Sequence, residues 1–276
     1  DSIKVLKSAK EVNPEALTIL GNVHPTFCWE EVLEENHDVV DYVIRGEGEE
    51  TIVALLNGVK QGRDLREIKG IAFWKDGKAI VTPERRFVEN LDYLPTAWDL
   101  IEWKDYTYYT KPGSTLAVVS SSRGCTQNCS FCSQRLFWKQ HWRARSPENL
   151  VAELEYLNKV FGVDVAMLSD EIPTFDRDRW ERILDLLIKK DLDLELLMET
   201  RVDDILRDKD ILHKYRRAGV VHIYVGVESA SQETLDQFNK GIKIEESKKA
   251  IELINETDII SETSFVLGMP NDTKES

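Results

Sequence analysis

From residue 115 onward, short apolar runs alternate with amphipathic stretches. The runs at 116–121, 163–169, 194–200, 221–227 and 262–267 read as strands. The stretches at 147–161, 176–190, 208–218, 231–238 and 245–256 carry apolar residues at helical spacing. Pro147 opens one helix, and Gly162 and Gly219 lie just past the ends of two others, as helix punctuation requires. A helix after each strand returns the chain in the same direction, so the strands must lie parallel. The pattern predicts five strands of a parallel β/α barrel. Active sites of such barrels form at the carboxyl ends of the strands, so the residues just after each run carry the functional question.

The first run is followed by Arg123-Gly124-Cys125-Thr126-Gln127-Asn128-Cys129-Ser130-Phe131-Cys132-Ser133-Gln134. Three of the four cysteines lie there, close enough in sequence to converge on one centre. Thiolates are soft ligands that suit iron–sulfur clusters, zinc or copper(I). A cubane of about four irons usually takes about four cysteines. The remaining cysteine, Cys28, lies far upstream, so one iron would be left open to another ligand. Two alternatives remain. A structural zinc site needs a closed ligand set, which Cys129 and Cys132 begin and His141 is nearest to completing. Or the thiols are inert and buried.

The other runs end in polar groups: Ser169-Asp170-Glu171, Glu199-Thr200-Arg201, Gly226-Val227-Glu228-Ser229 and Leu267-Gly268-Met269-Pro270. Carboxylates after apolar strands are costly unless paired. One alone would read as a helix cap or a surface ion pair. Three acidic strand ends in register with a cysteine loop read as a ligand site instead.

The C-x3-C-x2-C spacing, with Phe131 before the last cysteine, resembles the signature of the radical S-adenosylmethionine (SAM) superfamily. The resemblance implies a 4Fe-4S cluster on Cys125, Cys129 and Cys132, whose open iron binds the amino and carboxylate groups of SAM. One-electron reduction then yields a 5′-deoxyadenosyl radical. It implies further that Asp170 and Glu171 accept a hydrogen bond from the SAM amino group and that, with Arg201 and Glu228, they position SAM. Glu228 and Ser229 would face the ribose, and Gly268 the adenine. Ser130-Phe131-Cys132-Ser133-Gln134, Phe137-Trp138, Arg143-Ala144-Arg145-Ser146-Pro147, Asp170-Glu171-Ile172-Pro173-Thr174, Thr200-Arg201-Val202-Asp203-Asp204 and Phe238-Asn239-Lys240 together resemble the anaerobic magnesium-protoporphyrin IX monomethyl ester oxidative cyclase family. That family is a cobalamin-dependent radical SAM group that closes a ring of bacteriochlorophyll with water-derived oxygen. The likeness implies a small-molecule substrate of tetrapyrrole type and an electron donor such as a flavodoxin or ferredoxin. Trp138, His141, Trp142 and Arg143 would line the substrate side. Cobalamin-dependent radical SAM methyltransferases share these motifs and supply the alternative. A non-enzymatic iron–sulfur or zinc module is the distant one. No catalytic acid or base is singled out.

Residues 1–60 also alternate helix and strand. The turns at 21–26 and 45–51 fall at successive strand ends and resemble the C-terminal half of a Rossmann-like cobalamin-binding domain. Gly21, Asn22, His24, Gly46 and Glu47 are the candidate corrinoid contacts, with His24 a loop residue rather than a cobalt ligand. Asn22 stands where that family usually has a second glycine. Asparagine tolerates left-handed backbone angles, but its side chain would crowd a nucleotide tail. Residues 61–114 read as a connector with a hairpin at Lys75-Asp76-Gly77-Lys78, and 115–276 as the barrel, truncated at its end. The chain thus reads as a fragment that lacks the first half of the corrinoid domain.

Composition sets the remaining bounds. A net charge of −14 opposes binding to nucleic acid or an anionic membrane. No apolar run approaches the ~18 residues of a membrane span. Cysteines gathered in one loop are not a disulfide framework and point to a reducing, cytoplasmic setting.

Overall fold

The computed structural model describes residues 1–269. Two compact units result, Asp1–Glu89 and the remainder from Asn90. In the first, α1 (Ser2–Val12), β1 (Ile19–Leu20), α2 (Val23–Phe27), α3 (Trp29–Asn36), β2 (Tyr42–Ile44) and α4 (Glu49–Lys60) precede a hairpin of β3 (Ile71–Lys75) and β4 (Lys78–Val81). The sheet order is β1-β2-β3-β4, with β1 and β2 parallel and the later pairs antiparallel. Side chains alternate across it. Val43 and Ala72 pack with Val32 and Leu33, while Ile44, Ile71 and Phe73 pack with Leu55 and Ile68. Asp76 and Gly77 both take positive φ, 53° and 76°, the two-residue turn that an Asp-Gly pair favours. The connector expected over 61–114 therefore divides differently. Its hairpin extends the first unit's sheet, because Tyr42 pairs with Phe73.

The second unit contains β5 (Leu116–Val119), β6 (Ser122–Arg123), α5 (Gln134–Phe137), β7 (Arg143–Ala144), α6 (Pro147–Phe161), β8 (Val165–Leu168), α7 (Arg177–Lys190), β9 (Glu195–Arg201), α8 (Val202–Arg207), α9 (Leu212–Arg217), β10 (Val220–Glu228), α10 (Gln232–Gln237), α11 (Ile244–Asn255) and β11 (Ile260–Phe265). β5, β8, β9, β10 and β11 are parallel neighbours in chain order. This is an open run of β/α units. Ala117, Val119, Ala166, Leu168, Leu196 and Met198 face the helices and share one core with Leu154, Trp180, Ile183 and Leu187. Their alternates Val118 and Met167 are exposed on the other face. Helix starts follow local chemistry. Ser146 accepts from the Asn149 N–H ahead of Pro147, and Asp176 accepts from the Arg179 N–H. The helix expected over 208–218 is shorter, α9, and is preceded by α8. Asp208 turns inward between them, fully buried, and accepts from Arg207 and the Tyr215 hydroxyl.

Candidate functional site

The cysteine loop leaves β5 and is held at three places. At its root, Asp170 is fully buried and accepts from the Ser121 N–H at 2.9 Å, the Ser121 hydroxyl at 2.8 Å and the Ser122 hydroxyl at 2.5 Å. Burial raises its carboxyl pKa, and these donors pull against the rise. Below it, Arg179 donates to the Ser121 carbonyl and Arg145 to that of Ser120.

At the first cysteine, β6 pairs with β7 and brings Gly124 against the backbone of His141. Gly124 has φ +96°, and a Cβ there would sit 2.0 Å from the His141 carbonyl oxygen, so only glycine fits. Its N–H donates to Glu171 Oε2 at 2.9 Å, and the Trp138 indole donates to Glu171 Oε1 at 2.6 Å. The Arg143 guanidinium lies 5.4 Å from the Trp138 ring centre. At the far side, the turn after α10 holds the loop. Ser130 N–H donates to the Phe238 carbonyl at 2.8 Å, Ser130 Oγ to that of Gln237 at 2.9 Å, and the Asn239 amide to that of Asn128 at 3.0 Å. Phe131 packs on Phe238, ring centres 4.9 Å apart.

These restraints place Cys125, Cys129 and Cys132 around a cavity of about 180 Å³ whose other walls include Glu171, Glu199, Arg201, Glu228 and Lys240. Burial pushes the Cys125 thiol up, while the Gln127 N–H and the Arg201 charge pull it down. Among the described residues no three His, Cys, Asp or Glu side chains gather closely enough to hold a single metal ion. The three thiols line one cavity, and thiolate ligands of this kind suit an iron–sulfur cluster. Cys28 packs beside the α3 and β2 core of the first unit.

The other expected residues separate into two groups. Glu171, Arg201 and Glu228 line the cavity. Asp170 does not, because its oxygens already serve the loop's root. Ser229 accepts from the Ser231 N–H at the entry to α10, and its hydroxyl shapes that turn. Gly268 follows β11 with φ +89°, and no atom lies within 4 Å of where a Cβ would stand; Pro270 lies outside the described residues. Of the residues expected on the substrate side, Trp142 donates to the Ile172 carbonyl and packs on Phe175. His141 stays exposed.

Two wall residues are given no role by the sequence, although Lys240 lies in a matching motif and Glu199 at a polar strand end. Lys240, in the loop after α10, donates to Glu228 Oε1 at 2.7 Å, and both are almost fully buried. Glu199 stands out only as part of a polar strand end. Burial first, then the charges of Glu171, Asp170 and Glu228, raise its pKa to about 7, and Lys240 opposes them. Thr174 and Asp204, carried in two of the matching motifs, are structural. Thr174 bonds Asp204 at 2.5 Å and Thr200 at 2.6 Å beneath the site.

Replacing Glu171 with Ala strands two partly buried donors, the Gly124 N–H and the Trp138 indole. At about 1 kcal/mol or more for each, urea denaturation should show a loss of about 2 kcal/mol. A change under about 0.5 kcal/mol would mean that water replaces both bonds.

In the first unit the two glycine-bearing turns meet. The Gly46 N–H donates to Thr26 Oγ1 at 3.0 Å, and Thr26 Oγ1 to the Asn22 carbonyl at 2.7 Å. Asn22 takes φ 82°, and its side chain folds back to accept from the Val23 N–H at 2.6 Å. This side chain, expected to crowd a nucleotide tail, caps α2. The stretch expected as a plain turn contains that helix, with His24 exposed upon it. Glu47 accepts from the Val88 N–H at 2.7 Å and ties down a later strand of chain. A Cβ at Gly21 would meet nothing closer than 3.9 Å, and one at Gly46 nothing within 4 Å, so both leave backbone open to a ligand.

Residues 119–276 match the Radical SAM superfamily, and the chain belongs to it. Residues 1–56 match the B12 binding domain. Membership brings a 4Fe-4S cluster and SAM as cofactors, and the second match brings cobalamin. Among named relatives, the anaerobic magnesium-protoporphyrin IX monomethyl ester cyclase of Rubrivivax gelatinosus is 39% identical over 99% of this chain and 49% of its own length. An uncharacterized methyltransferase of Pyrococcus horikoshii is 30% identical over 100% of this chain and 59% of its own. The chain thus spans about half the length of the curated relatives it matches. The radical SAM methyltransferase TsrM from Kitasatospora setae shares the fold, with a TM-score of 0.82 at 18% identity over 99% of this chain and 54% of that one. Among the described residues no helix is long and apolar enough to cross a membrane.

Proposed function

We propose that the protein from which this chain comes is a cobalamin-dependent radical SAM enzyme acting on a tetrapyrrole, by oxidative cyclisation of the magnesium-protoporphyrin IX monomethyl ester type. The observation that carries the reading is the cavity where three cysteines face Glu171, Arg201 and Glu228 at the carboxyl ends of parallel strands. Cys125, Cys129 and Cys132 hold the cluster in this reading. Glu171 and Glu228 receive the cationic amino end and the ribose of SAM, and the Arg201 guanidinium receives its carboxylate. Glu171 already accepts two hydrogen bonds, but each carboxylate oxygen has a second lone pair for a ligand. When bound, SAM and a reduced cluster would supply the radical chemistry that removes hydrogen from the substrate. The chain's own contribution is position and charge. An electron donor of flavodoxin or ferredoxin type, and a cytoplasmic setting, belong to the same reading.

The methyltransferase alternative is favoured by the Pyrococcus horikoshii relative. Two measurements on the complete, anaerobically reconstituted protein separate them. With SAM, reductant and the magnesium porphyrin ester in labelled water, a cyclase incorporates oxygen from the water. A methyltransferase instead adds a methyl group from labelled SAM. Absence of 5′-deoxyadenosine and of any SAM cleavage would sink both.

Corrinoid retention has its own test. Asn22→Gly keeps the positive φ and gives up only a cap on a short helix. The complete protein carrying it should hold a corrinoid, read by visible absorbance after desalting, as well as the parent does. Loss of the corrinoid would show that the Asn22 cap itself shapes the site.

A further inference from the structure

Lys240 is 5% exposed, yet its ammonium ends on the wall of the cysteine cavity. Burying an ammonium is costly unless a partner compensates, and its partner is Glu228 Oε1 at 2.7 Å. Glu228 itself stands in a left-handed backbone conformation, φ +66°, which a non-glycine residue rarely adopts. Gly226 makes room beneath the pair: a Cβ there would meet Glu228 Oε1 at 2.6 Å and Lys240 Nζ at 2.8 Å. The same loop reaches a second wall residue, because Arg201 donates to the Lys240 carbonyl at 3.0 Å. A strained backbone and a buried ion pair, with a glycine beneath them, thus converge on one carboxylate.

We infer that Lys240 is a positioning residue for SAM: it fixes the Glu228 carboxylate at the height and angle at which the ribose meets it. The inference rests on the reading that Glu228 binds SAM. Lys240 occupies Oε1 on one side, and the Ser264 hydroxyl approaches Oε2 at 3.3 Å on the other. The lone pairs left over then point in one fixed direction. Without the ammonium, Glu228 has no strong partner to hold it in a strained backbone, and its carboxylate turns away from the cavity.

The test is SAM affinity by anaerobic titration of the reconstituted, unreduced protein, so that no turnover intervenes. Lys240→Met should weaken SAM by about ten-fold or more, the size of one lost charge-assisted hydrogen bond. Lys240→Arg, which restores a cation, should recover most of that loss. Glu228→Gln should weaken SAM as well, and Lys240→Met added to it should cost little more, because the carboxylate it positions is gone. That double variant has no unpaired buried charge, so it answers the question even where Lys240→Met alone folds poorly. Iron content should stay at the parental level throughout. The inference is overturned if Lys240→Met binds SAM like the parent while Glu228→Gln does not, or if its loss is undiminished in the Glu228→Gln background. If Glu228→Gln binds SAM like the parent, the site reading itself falls and the role of Lys240 falls with it.

Discussion

Replacing Cys129 with Ala should leave the anaerobically reconstituted protein with almost no cluster iron, against about four atoms per chain in the parent. Cys129 is the most buried of the three cavity thiols, 7% exposed, in a loop fixed at both flanks. The fourth cysteine, Cys28, packs against the apolar core of the first unit and is not part of the cavity wall. Cys28→Ala should accordingly keep full iron content. Iron and sulfide analysis on matched preparations decides the matter. Equal iron loss in the two variants would mean that the ligand set includes Cys28, and iron retained in Cys129→Ala would point to ligation elsewhere.

Glu199→Gln should make the metal-free chain more stable at pH 8, by up to about 3 kcal/mol, and leave it unchanged near pH 4.5. The folded pKa of about 7 lies above the unfolded value of 4.5. The fold therefore holds this proton more tightly than the unfolded chain does. Stability from this group is fully present below pH 4.5 and declines as pH rises to about 7, beyond which the ionised carboxylate carries its whole burial penalty. Glutamine has no proton to lose, so the gap between variant and parent should open across that window. Urea denaturation at several pH values measures it, and the difference between the two proteins cancels other titrating groups. A gap of equal size at pH 5 and pH 8 would show that Glu199 titrates normally. In the proposed reading the penalty is functional, because a cationic ligand relieves the crowding of Glu171, Glu199 and Glu228.

The strands were legible because their apolar runs are long enough to exclude other readings: 221–227 against Val220–Glu228, and 194–200 against Glu195–Arg201. α8 was not, since its core contacts are Val202 and Ile205, a single helical step too short to show a period. Pairing across distance was also hidden. Nothing local marks Phe73 as the partner of Tyr42, so the hairpin looked like a connector. At the site, the acidic pair Asp170-Glu171 could be located but not divided. The division depends on Ser121 and Ser122, nearly fifty residues earlier, which claim Asp170 and leave Glu171 to the cavity. Lys240 lies in a loop with no apolar pattern, and only the fold shows that it reaches Glu228.

The grip on residues 121–131 bears on how much organising a cluster would have to do. Asp170, Glu171 and the turn after α10 hold this loop through side-chain and backbone bonds that involve no metal. In zinc fingers the ion must organise the chain, and part of its binding energy is consumed in doing so. Here protein groups supply many of the loop's restraints, so a cluster would spend less of its binding energy on ordering its ligands.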